Sequence, residues 1–267
     1  SCLPTLQRED IPPSVPIIKE SASDDTVKAS LYTAATSGIF YFAAAAGTGL
    51  LSAAHLPLAP FFCYALSRIG TTKRDYVEMA QRIDAYTGGI GLSTHARTCF
   101  DDDGNCLPFI SFNGKSLVRN QELMFGIIQE LLHHSDFSNL TRLKSILLEY
   151  RAGLEAMVIH NGHRLAIALA NRHMTPSARL NALWHGVHQL QTIKNLARSF
   201  ETDARALEKT GAGLAAIARH LFHRKNIQIA LVGDDRALET AETRIAGLMD
   251  HLPQTTGMEK HASLALP

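Results

Sequence analysis

The sequence predicts an α+β domain: a mainly antiparallel sheet with helices packed on one of its faces. Three observations predict it. Short strand-like runs and two helices, separated by turn residues, occupy the first 120 positions after an entering linker. A long block of helical periodicity follows. One strand and one helix then return near the end. A doubly wound parallel sheet would alternate strand and helix more regularly along the whole chain.

In chain order, residues 26–33 and 39–46 are apolar enough for strands and enclose the turn Thr36-Ser37-Gly38. Residues 58–69 predict a helix, with Phe61, Ala65 and Leu66 on one side and Gly70 closing it. Residues 75–87 carry Tyr76, Met79, Ala80, Ile83 and Tyr86 at helical spacing, and the pair Gly88-Gly89 stops the helix. Strands over 90–100 and 106–112 flank Asp103-Gly104, a favoured hairpin dipeptide. Residues 121–134 present a broad apolar helix face. Over 140–159, Leu143, Leu147, Tyr150, Leu154 and Met157 form a narrow seam suited to packing on another helix. Asn161-Gly162 bends or ends that helix. Helical patterns resume over 164–172, 177–188, 190–199 and 202–222. Residues 227–232 predict a strand, Gly233-Asp234-Asp235 a turn, and 236–251 a helix.

The 267 residues are 46% hydrophobic and 19% charged, with a net charge of +1. That is ordinary globular composition, and a chain of this length buries a core without disulfides or metals to staple it. Lys and Arg are scattered, so no nucleic-acid or basic membrane surface is indicated. The longest apolar region, 39–66, is interrupted by Gly47, Gly49, His55, Pro57 and Pro60, whereas a membrane-spanning helix needs about 20 apolar residues in succession. Residues 1–20, polar and proline-rich, read as a linker entering one domain over 21–251. Residues 252–267 read as a second linker, as in a chain cut from a longer one. No secretory leader is evident in this stretch.

Candidate chemistry is sparse. The four cysteines, Cys2, Cys63, Cys99 and Cys106, form no Cys-x-x-Cys pair. Cys99 and Cys106 flank the DDDGN turn in position to face each other, and two reduced thiols on adjacent strands is the simpler reading. Three histidine pairs have i, i+3 spacing: His160 and His163, His185 and His188, His220 and His223. Zinc requires further ligands, and zinc hydrolysis a carboxylate base. Neither His-Glu-x-x-His nor His-x-x-Glu-His occurs. Placing DDDGN as a calcium loop puts Cys99 where a carboxylate belongs. Gly47-Thr48-Gly49 lacks the third glycine of a dinucleotide loop, with Ser52 in its place. ALVGDD reads as an ordinary turn from strand to helix, and no Gly-x-Ser-x-Gly elbow is present. Asn139-Leu140-Thr141 is a chance glycosylation sequon.

Five blocks in order nevertheless resemble one family. They are LPTLQREDIPPSVP, TSGIFYFAAAA, PLAPFFCYALSRIGTTKRDYVEMAQRIDAYTGGI, NGHRLAIALANRHMTP and NIQIALVGDD. Together they resemble the third domain of presequence proteases, the peptidasome branch of the pitrilysin/insulinase zinc peptidases. The run Ala43-Ala44-Ala45-Ala46 and the following Gly47-Thr48-Gly49 depart from that family's sequence.

The resemblance implies a zinc metalloendopeptidase of four related α+β domains. Its two halves close around a chamber for unfolded peptides. It implies zinc ligands and a general-base Glu in the first domain, and a substrate-binding Arg and Tyr in the fourth. None of these positions falls in this chain. The segment is thus expected to hold no catalytic or metal residue, to need no cofactor of its own, and to have no activity alone. Its substrate-binding residues are unassigned. Its expected role is to wall the chamber and position the next domain. Its expected partners are other domains of the same polypeptide and unfolded peptides, with no nucleic acid or membrane. The expected location is the cytoplasm if bacterial and an organelle matrix if eukaryotic. A free sheet edge is a candidate for binding an extended peptide by strand addition. The alternatives are a stand-alone, zinc-free assembly subunit of the same superfamily, and an independent metal enzyme built on the histidine pairs.

Overall fold

The computed structural model describes residues 7–11, 13–14, 17–24, 29–99 and 105–253. The strands are β1 (Ala22–Asp24), β2 (Ala29–Thr33), β3 (Ile39–Gly47), β4 (Ile90–Thr98), β5 (Cys106–Leu117) and β6 (Ile227–Gly233). The helices are α1 (Ala59–Leu66), α2 (Tyr76–Tyr86), α3 (Gln121–His134), α4 (Leu140–Asn171), α5 (Pro176–His185), α6 (Val187–Thr202), α7 (Ala206–Leu221) and α8 (Asp235–Asp250). All six strands form one sheet in the order β1-β2-β6-β3-β5-β4. Every neighbouring pair is antiparallel except β2 with β6, which is parallel. This is the mainly antiparallel α+β sheet expected from the sequence.

Side-chain alternation divides the sheet into unlike faces, as a period of two requires. Phe40, Phe42 and Ala46 of β3, Ile110 and Phe112 of β5, Thr94 and Ala96 of β4, and Ile227, Ile229 and Leu231 of β6 are all buried. The helices cover this face. Phe125 of α3 meets Phe40 at 5.8 Å and Phe42 at 6.0 Å between ring centroids, and Phe112 lies 5.9 Å from Phe42. Fully buried Trp184 of α5 donates from Nε1 to the Leu56 carbonyl at 2.9 Å. Gln121 Nε2 ties the start of α3 to the Ala237 carbonyl of α8 at 2.9 Å.

The predicted turn at Thr36-Ser37-Gly38 forms, with Ser37 at φ 54° and Gly38 at φ 80°. Yet β2 and β3 do not pair across it, because β6 lies between them. β5 runs five residues beyond its predicted end at 112, because β3 and β4 flank it and extend the ladder through Gly114. Gly114 faces α3, where an added Cβ would make ordinary contact with Met124 Sδ at 3.5 Å. The DDDG part of the β4–β5 connection, 101–104, lies outside the described residues, as do residues 26–28 of the first predicted strand. The Asn105 carbonyl accepts from the Cys99 amide at 2.9 Å, and Cys106 pairs with Thr98. Cys99 and Cys106 are thus offset by one residue and project to opposite faces, and both are free thiols.

Asp75 begins α2 as predicted. Its Oδ1 accepts from the Val77 and Glu78 amides, each at 2.8 Å, and Glu78 Oε2 accepts from the Asp75 amide at 3.3 Å. Gly89, at φ 112°, supplies the left-handed residue that releases the chain into β4. The α4 seam buries Leu143, Leu147 and Leu154. Asn161, at φ −126° and ψ 28°, leaves helical geometry and kinks α4 into two helical segments.

Predicted helix limits move around Gly186 and Asp203. The stretch 177–188 breaks at Gly186, and α6 starts directly after it and runs on to Thr202. A Cβ at Gly186 would stand 2.4 Å from the Ala182 carbonyl oxygen, so the sharp junction between α5 and α6 needs glycine. Asp203 then leaves helical geometry and accepts from the Arg205 amide at 2.9 Å, which delays α7 to Ala206.

This packing sets measurable costs. Phe42→Ala is expected to cost about 3–5 kcal/mol in urea unfolding, since the ring contacts both the sheet and α3. Gly186→Ala is expected to destabilise by about 1–3 kcal/mol. Gly153→Ala, inside α4 with no heavy atom within 4 Å of the added Cβ, is expected to stabilise by about 0.5–1 kcal/mol in the same assay.

Candidate functional site

The histidine pairs do not assemble a metal centre. His160 and His163 are exposed on either side of the α4 bend. His185 ends α5 and His188 belongs to α6, so the break at Gly186 separates them. His220 Nδ1 lies 2.6 Å from the Ala216 carbonyl, and buried His223 lies beyond the end of α7. Among the described residues, no three His, Cys, Asp or Glu side chains gather to hold a metal ion. These residues therefore do not fit a zinc ion.

The other candidate motifs serve the fold. Thr48 is fully buried, and its amide and hydroxyl donate to the Pro108 carbonyl at 3.1 and 3.2 Å, leaving no phosphate cradle. Asp234 caps α8 through the Ala237 amide at 2.8 Å, and Asp235 accepts from Thr33 Oγ1 at 3.0 Å. Asn139 of the sequon caps α4 through the Arg142 amide at 3.0 Å.

Two surfaces remain. The first is the sheet face that carries no helix among the described residues. Register aligns its side chains in rows: Tyr32, Val232, Tyr41 and Lys115; then Ser30, Ala230, Ala43 and Asn113; then Gln228, Ala45, Ser111 and Ser93. At the β4–β5 end, His95 stacks on Phe109 with centroids 5.0 Å apart. His95 Nε2 lies 2.9 Å from Ser111 Oγ, which also meets Ser93 Oγ at 3.1 Å and accepts from Asn113 Nδ2 at 3.2 Å. The face is thus a shallow floor of small and polar residues between aromatic rims. Only the period-two alternation of STHA and FISFN signalled this cluster in the sequence, and no motif marked it.

The second surface is a groove of about 340 Å³ along the outer edge of β4. Ile90 to Thr94 form one wall, and Pro60, Cys63, Tyr64, Ser67 and Arg68 of α1 and its end form the other. Tyr150 of α4 and His185 of α5 complete it. The Tyr64 and Tyr150 rings lie 4.9 Å apart. Burial, the largest influence, pushes the Tyr150 hydroxyl up to about 12, so it stays neutral. Arg68 lies over the Tyr64 ring at 4.1 Å and donates to the Tyr64 carbonyl at 2.9 Å.

The helix–loop wall of this groove is held from behind. Glu130 of α3, almost wholly buried, accepts from Thr71 Oγ1 at 2.6 Å and pairs with Arg74. The Thr72 amide donates to the His134 carbonyl at 2.8 Å, and Gly70, at φ 92°, turns the chain just before these anchors.

Known proteins share this arrangement. The family model that matches residues 1–196 describes a region associated with peptidases of family M16, subfamily C. The chain belongs to that peptidase-associated family. It is 28% identical over 232 residues to the mitochondrial presequence protease of Danio rerio, covering 86% of this chain and 22% of that protein. It is 26% identical over 254 residues to presequence protease 1, chloroplastic/mitochondrial, of Arabidopsis thaliana, covering 95% of this chain and 23% of that protein. The chain thus spans about a quarter of the length of these relatives, and its kinship is with the presequence-protease branch.

A crystal structure of a peptidase M16 inactive domain from Pseudomonas fluorescens shares the fold of this family member. The TM-score is 0.58 and the identity 18%, over 90% of this chain and 52% of that one. A conserved protein from Enterococcus faecalis V583 superposes with a TM-score of 0.59 at 15% identity, covering 93% of this chain and 55% of that one. Among the described residues, no helix is long and apolar enough to cross a membrane.

Titration of the histidines gives a further expected outcome. Burial holds His133 below its ordinary value of 6.5, and repulsion from His134, His251 and Lys73 adds to this. His55 and His95 are also lowered, first by burial, then by His220 and Arg219, and by Arg97 and His185, respectively. A depressed imidazole gives stability that is complete above the unfolded value and is lost as pH falls below it. The melting temperature is therefore expected to drop between pH 7 and 5, and His133→Gln is expected to flatten that slope.

Proposed function

We propose that this chain is a noncatalytic domain of a zinc metalloendopeptidase, third in order, that walls a closed chamber for unfolded peptides and positions the domain after it. The observation that carries the reading is the uncovered sheet face. A sheet packed on one side only, with a floor of Ser30, Ala43, Ser111 and Ala230 between Tyr32, Tyr41 and Phe109, suits contact with many peptide sequences. Small side chains exclude none, and the aromatic rims supply contact area without a demand for charge. The likeness to presequence proteases over a quarter of their length supports a partial role, with zinc and its ligands in another domain. The absence of a fitting ligand set among the described residues is compatible with that division.

In this reading residues 1–20 and 252–267 are linkers to neighbouring domains, and the compartment is an organelle matrix if the source is eukaryotic, as for the mitochondrial and chloroplastic relatives. Photo-crosslinking of the full-length protein tests the proposal. A benzophenone-bearing peptide added to a zinc-depleted sample is expected to label fragments holding residues 39–47 and 106–117. Labelling confined to the exposed parts of α4 and α6 would refute the wall assignment. The isolated chain is expected to show no peptide hydrolysis with added zinc.

A further inference from the structure

The groove beside β4 is an unfinished edge of the sheet. In the β4–β5 ladder, odd-numbered β4 residues bond β5, as the continuing bond from the Cys99 amide to the Asn105 carbonyl fixes. The even-numbered residues therefore turn their amides and carbonyls away from the sheet. Two of these carbonyls are already engaged. Asn181 Nδ2 donates to the Ala96 carbonyl at 3.0 Å, and His185 Nε2 lies 3.1 Å from the Thr94 carbonyl. Thr98 Oγ1 also meets Ser177 Oγ at 2.7 Å. Helix α5 thus seals the second half of the edge. The outward backbone groups of Ile90 and Leu92 have no partner among the described residues, and these two residues line the 340 Å³ groove. Natural sheets cover or charge such an edge unless something pairs with it.

We propose that this groove is a peptide-docking site, in which an extended peptide bearing a carboxylate adds as a short strand on β4 at Ile90 and Leu92. An alternating pair of free N–H and C=O groups, about 7 Å apart at strand rise, is matched by an extended backbone. Among the lining residues the cation is Arg68, with His185 at the closed end, and none is acidic. The guanidinium, propped on Tyr64, faces an anionic side chain or C-terminus of the bound segment. Tyr64, Tyr150 and Leu92 receive its inward side chain. The proposal rests on the peptide-handling role above but uses a separate surface, the edge and not the open face.

The test uses the 267-residue chain and a peptide of about eight residues, alternating Val and Thr, with a free C-terminus. Amide NMR titration is expected to shift residues 90–94. N-methylation of successive peptide amides is expected to weaken binding about tenfold at every second position and leave the alternate positions unaffected. Leu92→Pro deletes an outward N–H that the ladder does not use, a position where an edge strand tolerates proline, and is expected to abolish the shifts. The methylation series keeps the test decisive should that variant unfold. Capping the C-terminus as an amide is expected to weaken binding severalfold, and Arg68→Gln is expected to erase that difference. No shift at residues 90–94, no two-residue periodicity, or equal binding of the capped peptide would overturn the proposal. Shifts confined to Ala43, Ser111 and Ala230 would overturn it while supporting the open-face reading. Photo-crosslinks absent from the open face with edge shifts intact would separate the two in the other direction.

Discussion

Insertion of β6 between β2 and β3 is the constraint on which the rest of the architecture depends. β6 begins at Ile227, far along the chain from both partners, and pairs with β2 in parallel and with β3 antiparallel. Without it the sheet would end at β3, and β2 would retain only the short β1. With it, Leu231, Ile229 and Ile227 extend the buried face begun by Phe40 and Phe42. The helices between β5 and β6 must then cross that one face to bring the chain back. The connection is long and covers the core as it returns, which leaves the opposite face bare among the described residues.

That one-sidedness links packing to function. Burying aromatic and branched residues on a single face stabilises the sheet through the hydrophobic effect, while the other face is free to carry Ser, Ala and Asn between tyrosines. The same topology sets β4 at an outer edge. Its neighbour α5 seals Ala96 and Thr94 through two side chains, and α1 forms the facing wall of the groove beside Ile90 and Leu92. The buried Glu130, held by Thr71 and Arg74, fixes the loop that follows α1. The segment behind one wall of the groove is therefore anchored, and a preformed wall lowers the ordering cost of any segment that docks there.

Much of the element order was legible because it rests on local signals. The Gly88-Gly89 stop and the seam from Leu143 to Leu154 need only neighbours within a few residues, whereas the capping pair Asp75 and Glu78 emerged only with the structure. The candidate site was barely legible. Ser93, His95, Ser111 and Asn113 lie on two strands, and only register brings them together. The spacing of His185 and His188 suggested a shared helix face, but Gly186 breaks the helix between them, because the Ala182 carbonyl occupies the space a Cβ would take. The end of β5 was missed for a related reason: Asn113 and Gly114 have weak intrinsic strand preference, and pairing on both sides overrides it.

The sequence by itself determined the fold class, the sites of several turns and glycine helix stops, and the kinship carried by its ordered blocks, since propensity, periodicity and recurrent motifs are written in consecutive residues. Tertiary structure alone decided that β6 separates β2 from β3, and that, among the described residues, one sheet face stays uncovered and Ile90 and Leu92 keep unpaired backbone groups beside Arg68. These are relations between residues distant along the chain. They are set by which backbone groups find partners and which surfaces leave water, and those choices are made only when the whole core assembles.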